Sequence, residues 1–417
     1  MVTKIKKILF CIMSVGFLVR LAALFLLGRH VSPETWEYNT IALNLIHKKG
    51  YLFHWNNTDY HSHAYPLYPM LTALSHILTG ENYFILELCH ILLSVATCYF
   101  IYAIGKKIFD ERIGLLSAFL AALHPGLIVY ATKLHELTLV VFLINLIFWY
   151  IAYSNQGKVR TAVLIGTLIG AGMLTRPTFL FFLPAYGTYL WISSKTRKHA
   201  AKMLLLACLC ATVVITPWTL RNYHIHKKFV FITTNSAELF WRGNNPLATG
   251  TGLTKDMKTM PELAPKEFLN TLYSLNEIGQ YDFFYSETIK FIKSNPAHFV
   301  KMILKKIYYF WWFSPQTGLL YPKVWMQVYT LYYTFIFALF WVGIYKAAVS
   351  CAYEQKAMIV SIILFSVLVG MTHSLYYVEM RHRWSIESLM LIFSSAGIMV
   401  LFDRVKGAFL RSFRIAR

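Results

Sequence analysis

Apolar runs recur along this chain at about 8–28, 83–104, 113–131, 136–153, 161–174, 178–193, 203–219, 327–349, 357–372 and 385–402. The longer ones reach the roughly 20 residues that cross a bilayer core as an α-helix. Soluble domains do not repeat such runs. The chain is 57% apolar and only 14% charged, against roughly 25% charged in a soluble domain. Hydrocarbon offers no partner to a peptide group, so each spanning segment must satisfy its own backbone. The expectation is an all-α, polytopic transmembrane bundle of about ten spans. Several runs are short, so the count is open by two in either direction.

Lys4, Lys6 and Lys7 precede the first run, which extends to about Gly28. That is too long for a secretory signal core, and no small-x-small cleavage site follows. We read it as a retained first span. Arg20 lies inside it and must either snorkel or face the bundle interior. Of the six cysteines, Cys11, Cys89, Cys98, Cys208 and Cys210 lie within apolar runs and Cys351 follows one. None has zinc-ligand spacing, and they read as small buried hydrophobes rather than a disulfide framework.

The net charge of +21 follows from membrane orientation, because Lys and Arg collect in cytoplasmic loops. With the N-terminus inside, the cytoplasmic pieces are Lys4/Lys6/Lys7, Lys106/Lys107/Arg112, Lys158/Arg160, Lys195/Arg197/Lys198/Lys202, Lys346/Lys356 and the tail Arg404/Lys406/Arg411/Arg414/Arg417. All are net basic. No nucleic-acid motif is present, and no nucleic-acid partner is expected. Two long loops, 29–82 and 220–326, then fall on the extracytoplasmic side. The chain divides into a transmembrane module, 1–219, with the 29–82 loop inside it; the 220–326 loop region; and C-terminal helices with a tail, 327–417.

Both loops carry amphipathic patterns expected to form interfacial helices. Ser32-Pro33-Glu34 reads as a helix start, with Ser as cap and Pro at the first helical position. Tyr38, Ile41, Ala42 and Leu45 follow at helical spacing. Leu67 to Leu78 makes a second stretch, and Tyr285, Ile289 and Ile292 a third, stopped near Asn295-Pro296. Ile307 to Phe313 reads as an interfacial aromatic belt.

The polar residues of interest gather at the outer ends of spans. Glu34 and Glu37 share one face of the first loop helix, with Glu34 in its first turn, where the dipole favours the ionised form. Either could serve as a general base, or both could simply solvate the helix start. Lys133-Leu134-His135-Glu136 forms a very short turn between two runs. A carboxylate so close to hydrocarbon needs a partner, and Lys133 is the nearest in sequence. Arg176, Arg221, Arg381 and Arg383 place guanidinium groups at three outer span ends. Arg suits phosphate because its planar fork donates paired hydrogen bonds; the alternative is interfacial anchoring. His54, Asp59, His61 and His63 cluster in the first loop and are weak candidates for a divalent metal, since their spacing fits no metal motif. They read better as surface residues. No cofactor fingerprint is present.

The order of these motifs resembles the GT-C superfamily of membrane glycosyltransferases, in the bacterial branch akin to dolichyl-phosphate-mannose protein mannosyltransferases and the lipid A aminoarabinose transferase. The residues that carry the resemblance are Glu34-Thr35-Trp36-Glu37-Tyr38, Ile41 to Leu45, Gly50-Tyr51, Tyr65-Pro66-Leu67-Tyr68-Pro69, Gly80 and Leu134-His135-Glu136. Further on they are Thr175-Arg176-Pro177-Thr178, Thr216-Pro217-Trp218 with Arg221-Asn222, Gly243-Asn244-Asn245-Pro246 with Ala248-Thr249-Gly250, and Arg381-His382-Arg383. The resemblance implies an inverting transfer of a sugar from a polyprenyl-phosphate lipid to a lipid, glycan or protein acceptor. It places the active site on the extracytoplasmic face, in a bacterial inner (plasma) membrane. It implies that Glu34, with Glu37 as substitute, acts as base, and that Glu136 contributes to the same site. The family usually has Asp where Glu34 stands. It implies that Arg176, Arg221, Arg381, Arg383 and Lys133 hold the donor phosphate, and that Tyr38, Tyr65, His135, Asn244 and Asn245 line the substrate pocket. The alternatives are a flippase or transporter of lipid-linked sugars and an oligosaccharide ligase or polymerase. A transporter should show polar residues or broken helices near mid-membrane, whereas here the charges gather at one face.

Overall fold

A computed structural model describes residues 2–194 and 196–415. Of the basic residues expected in the cytoplasm, Lys195 and Arg417 lie outside the described residues. The chain begins with α1 (Val2–Leu26), then α2 (Glu37–Ile46), a hairpin of β1 (Phe53–Trp55) and β2 (Thr58–Tyr60), and α3 (Leu67–Thr79). The first bundle follows as α4 (Tyr83–Ile108), α5 (Glu111–Ala122), α6 (Pro125–Tyr130), α7 (Leu137–Tyr153), α8 (Val159–Met173), α9 (Phe182–Ser193) and α10 (Arg197–His226). The long second loop carries α11 (Asn235–Gly243), α12 (Lys266–Tyr273), α13 (Glu277–Ser294) and α14 (Pro296–Trp311). The chain closes with α15 (Lys323–Ser350), α16 (Tyr353–Leu375) and α17 (Met380–Ile415).

Each of the ten apolar runs is helical, but they differ in length. Among the described residues, six helices are long and apolar enough to cross a membrane: α1, α4, α10, α15, α16 and α17. Helices α7 and α8 are apolar but shorter. The run at 113–131 is broken, because His124 caps α6 and Pro125 takes its first position. That break strands the last carbonyls of α5 in an apolar interior. Arg20 answers it: the buried guanidinium donates to Ala122 O at 2.8 Å, Ala121 O at 3.2 Å and Ser94 Oγ at 2.8 Å. Its place inside an apolar run is therefore a helix-end repair, facing the bundle interior.

Helices α15 and α17 pack with their backbones nearly touching. A Cβ at Gly343 would overlap Phe393 O, and one at Gly397 would overlap Leu339 O. Small residues permit this approach, and dispersion rewards it where lipid offers no hydrophobic drive. The six cysteines are all free.

The two long loops lie on one face of the bundle and are clipped together. Glu277, at the start of α13, is buried and accepts from the amides of His61 at 2.6 Å and Ser62 at 2.9 Å and from Thr234 Oγ1 at 2.6 Å. The helices read from the loop sequences at 67–78 and 285–292 are present as α3 and α13, and Pro296 opens α14 after the expected stop. The first loop helix differs. It begins at Glu37, not at Pro33, and Ser32 does not cap it; Trp36 stands at the cap with no side-chain bond. Tertiary contacts override the local signal here. Glu34 O accepts from Leu134 N at 3.2 Å, and this holds the segment before α2 against the α6–α7 turn, with Trp36 in an extended conformation.

Candidate active site

The first loop, the α6–α7 turn, the α8–α9 turn and the α16–α17 turn meet at the loop face. Glu34 lies between two cations. Lys133 Nζ stands 2.5 Å from Glu34 Oε1, and Arg29 pairs with Oε2. Burial opposes the charge on Glu34, but Lys133 and then Arg29 outweigh it and hold the carboxyl below its usual range. Glu37, three residues on, is half-buried in the first turn of α2 and makes no ion pair among the described residues.

Glu136 is buried at the cap of α7. Its partner is not Lys133, as sequence proximity suggested, but Arg176, whose Nη2 lies 2.5 Å from Oε1. Arg176 is delivered by the tight end of α8, where its amide donates to Gly172 O at 2.8 Å and Pro177 starts a 3-10 turn. His135 Nδ1 lies 2.8 Å from Glu136 Oε2 and 3.1 Å from the amide of Leu137. One nitrogen cannot donate to the first and accept from the second. The hydrogen-bond geometry is met by the Leu137 amide, which donates to Nδ1, and not by the Glu136 contact. That leaves Glu136 Oε2 buried without a donor and Arg176 Nη1 buried without an acceptor. A pair joined through one atom of each group thus presents one free acceptor and one free donor, which is unusual for buried groups unless something else fills them.

Aromatic rings wall this pair. Trp36, Tyr38 and Tyr130 each set an edge against His135, at centroid distances of 5.2, 5.7 and 5.2 Å. Tyr65 lies within reach of the charges on Arg176 and Glu136, and burial raises its pKa. Arg381 stacks over Trp36 at 5.4 Å and pairs with Glu379 at 2.9 Å.

An apolar groove of about 460 Å³ opens beside the site. Its walls include Leu45, Leu67, Met70, Leu174 and Trp218, with Arg221 on its lining. Leu174 O accepts from Leu67 N at 2.9 Å, which closes this wall of the groove two residues along the chain from Arg176.

Several expected site residues stand elsewhere. Arg383 is fully buried and donates to Glu387 Oε1 at 2.6 Å, Phe310 O and Trp312 O at 3.0 Å and Tyr329 Oη at 2.8 Å. It braces α17 and is not free for phosphate. Lys133 is committed to Glu34. Asn245 shapes its own turn through Trp241 O and Leu247 N, and Asn244 bonds Leu375 O and Lys306; neither lines the pocket. Arg221 faces the groove, but its Nη1 also holds His61 O at 2.5 Å. His54 pairs with Asp59 across the hairpin at 2.7 Å, His61 uses its backbone on Glu277, and His63 packs on Phe53. Among the described residues no three His, Cys, Asp or Glu side chains gather for a metal. Sequence reasoning missed Arg29, although its place directly after an apolar run was a signal. It also missed His90, which bonds Tyr68 Oη at 3.1 Å and Lys133 O at 3.0 Å from inside an apolar helix where nothing marks it.

Residues 62–220, which contain Glu136, Arg176 and the groove-lining Trp218, match the dolichyl-phosphate-mannose-protein mannosyltransferase family. The chain has the GT-C membrane-glycosyltransferase fold. Solved structures with this fold agree along nearly the whole chain. The Archaeoglobus fulgidus oligosaccharyltransferase AglB, in complex with an inhibitory peptide and a dolichol-phosphate, superposes with a TM-score of 0.55 at 11% identity, over 98% of this chain and 52% of its own. The same archaeal enzyme in complex with zinc and sulfate gives 0.54 at 13% identity, over 97% and 51%. This chain therefore spans about half the length of those enzymes. ArnT from Cupriavidus metallidurans, bound to undecaprenyl phosphate, is similar at a TM-score of 0.45 and 12% identity, over 93% of this chain and 77% of its own. No curated protein matches the chain by sequence.

Proposed function

We propose that this GT-C chain transfers a sugar, with inversion, from a polyprenyl-phosphate carrier to an acceptor on the extracytoplasmic side of a bacterial inner membrane. The observation that carries the reading is the half-satisfied Glu136–Arg176 pair, with an apolar groove walled by Leu174, two residues from Arg176 in sequence. A groove of that lining accepts an isoprenoid tail. Arg176 Nη1 meets a phosphate oxygen, and Glu136 Oε2 accepts from a sugar hydroxyl. Arg381 and Arg221 are the further cations for the leaving phosphate, whose charge grows as the sugar departs. The shorter helices α7 and α8 cross the membrane with the six long ones, and α3 lies along the interface with its exposed Met70, Leu71, Leu74, Ile77 and Leu78 toward lipid.

Glu37 is the base in this reading. Glu34 is held ionised by two cations and is a poor proton acceptor; Glu37 carries no such partner among the described residues and stands three residues on, at the start of α2. It takes the proton of the attacking hydroxyl or amine as that atom bonds to the anomeric carbon opposite the phosphate. The bond to phosphate breaks, and polyprenyl phosphate leaves. The energy is already in the sugar–phosphate bond, so no nucleotide enters.

The test is reconstitution of the full chain in liposomes with radiolabelled polyprenyl-monophosphate sugars. Release of polyprenyl phosphate with label on an acceptor supports the proposal. Turnover only with a diphosphate-linked oligosaccharide makes it a ligase, and movement of intact donor between leaflets makes it a flippase.

A further inference from the structure

Lys306 is fully buried in α14 and has no acidic partner among the described residues. Among them its side-chain nitrogen meets two acceptors: Asn244 Oδ1 at 2.9 Å and Tyr376 O at 2.7 Å. These belong to two separate pieces of chain. Asn244 opens the stretch 244–252 after α11, and Tyr376 opens the turn between α16 and α17. The two pieces are fitted closely. Gly243 packs so tightly on Tyr376 O that a Cβ would overlap it, Asn244 Nδ2 donates to Leu375 O at 2.7 Å, and Val378 N donates to Gly250 O at 3.1 Å. Lys306 is the pin through this joint, and the turn it holds leads directly into Glu379 and Arg381.

An ammonium has three N–H donors and a neutral amine has two. Two acceptors therefore match the neutral form, and the third proton of the charged form has no acceptor among the described residues in this buried position. Charged groups on the surrounding elements do not compensate it. On α11, Arg242 is paired with Glu238; on α13, Lys290 with Glu287; on α17, Arg381 with Glu379 and Arg383 with Glu387. His373 of α16 stacks on Phe310, and His382 of α17 stacks on His373. Lys305 and Tyr309, on its own helix, contact each other. We propose that Lys306 is a positioning residue that holds the Tyr376–Glu379 turn, and through it Arg381, in place as a neutral amine. Burial alone brings its pKa down to about 7. Protonation then loosens the joint as pH falls through neutrality. The role of Arg381 in transfer rests on the proposed function; the pin itself does not.

The experiment is hydrogen exchange at the Val378 amide in the full-length protein in lipid nanodiscs, between about pH 6 and 9, corrected for intrinsic exchange. Protection in the wild type should fall by up to about tenfold per pH unit below 7. Lys306→Gln keeps two donors without a titrating group, so its protection should stay high and flat. Lys306→Met has no donor and should be unprotected throughout. Donor turnover should track the exchange, with an acid limb in the wild type that Lys306→Gln lacks. Flat wild-type protection, or Met protection equal to wild type, overturns the pin. The expected exchange with no turnover from any polyprenyl-phosphate sugar leaves the pin standing and sinks the transferase reading instead.

Discussion

Lys133 Nζ sits 2.5 Å from Glu34 Oε1, while Glu37, on the same short stretch, makes no ion pair among the described residues. Glu34 ties the first loop to the α6–α7 turn, and in the proposed mechanism it is Glu37 that accepts the proton. Glu37→Gln should lower kcat by about 10²–10⁴-fold, the usual contribution of a general base, with KM for the donor little changed. Glu34→Gln should cost less in kcat and more in stability. Steady-state kinetics on both variants decides it; the reverse order returns the base to Glu34.

Glu136→Gln removes the charge facing Arg176 and, in the proposed mechanism, halves the acceptor capacity offered to the sugar. We expect transfer to fall by about 10²–10³, as for loss of one preorganised polar group. Arg176→Lys keeps the charge but loses the fork, and should raise donor KM as well. Both proteins should still insert into membranes, checked by protease protection.

How much of this was legible beforehand depends on range. The ten apolar runs and the loop helices could be read because periodicity and length are local properties. Glu136 and Arg176 were marked by their span-end positions, and a GT-C resemblance named them. Their pairing with each other was not readable, because it joins residues 40 apart through the packing of α7 against α8. Lys133 shows the limit clearly. Adjacent charges in sequence suggested a Lys133–Glu136 pair, but the turn points them apart, and Lys133 reaches Glu34 at a separation of 99 residues. Arg383 failed for a related reason. Guanidinium groups at three span ends look alike in sequence, and only the fold buries Arg383 against Glu387. Lys306 and Lys305 are likewise indistinguishable until α14 is packed.

The Glu34 ion pairs also set an acid limit on stability. Because the folded pKa is depressed, the contribution is complete above the unfolded carboxyl pKa of about 4.3. It is lost as pH falls through the lower folded value. Lys133 is charged in both states at such pH and adds no slope of its own. The thermal midpoint of the detergent-solubilised protein should drop steeply below about pH 4, and Glu34→Gln should flatten that drop while starting from a lower midpoint at neutral pH. Equal acid slopes in the two proteins would place the sensitive carboxylate elsewhere.

The groove gives a prediction about the donor tail rather than its sugar. Leu174 lines the groove two residues before Arg176, and Met70 lines it from α3. A bulky ring at either place narrows the channel without touching the polar pair. Overpacking costs of 1–3 kcal/mol correspond to about 5–150-fold in affinity. Leu174→Phe and Met70→Trp should therefore raise KM for a long polyprenyl-phosphate sugar and leave a short-chain analogue nearly unaffected, with kcat preserved for both. Kinetics with donors of graded chain length separates the cases: if the variants penalise short and long donors alike, the tail does not run through this groove and must leave the Arg176–Glu136 pair by another path.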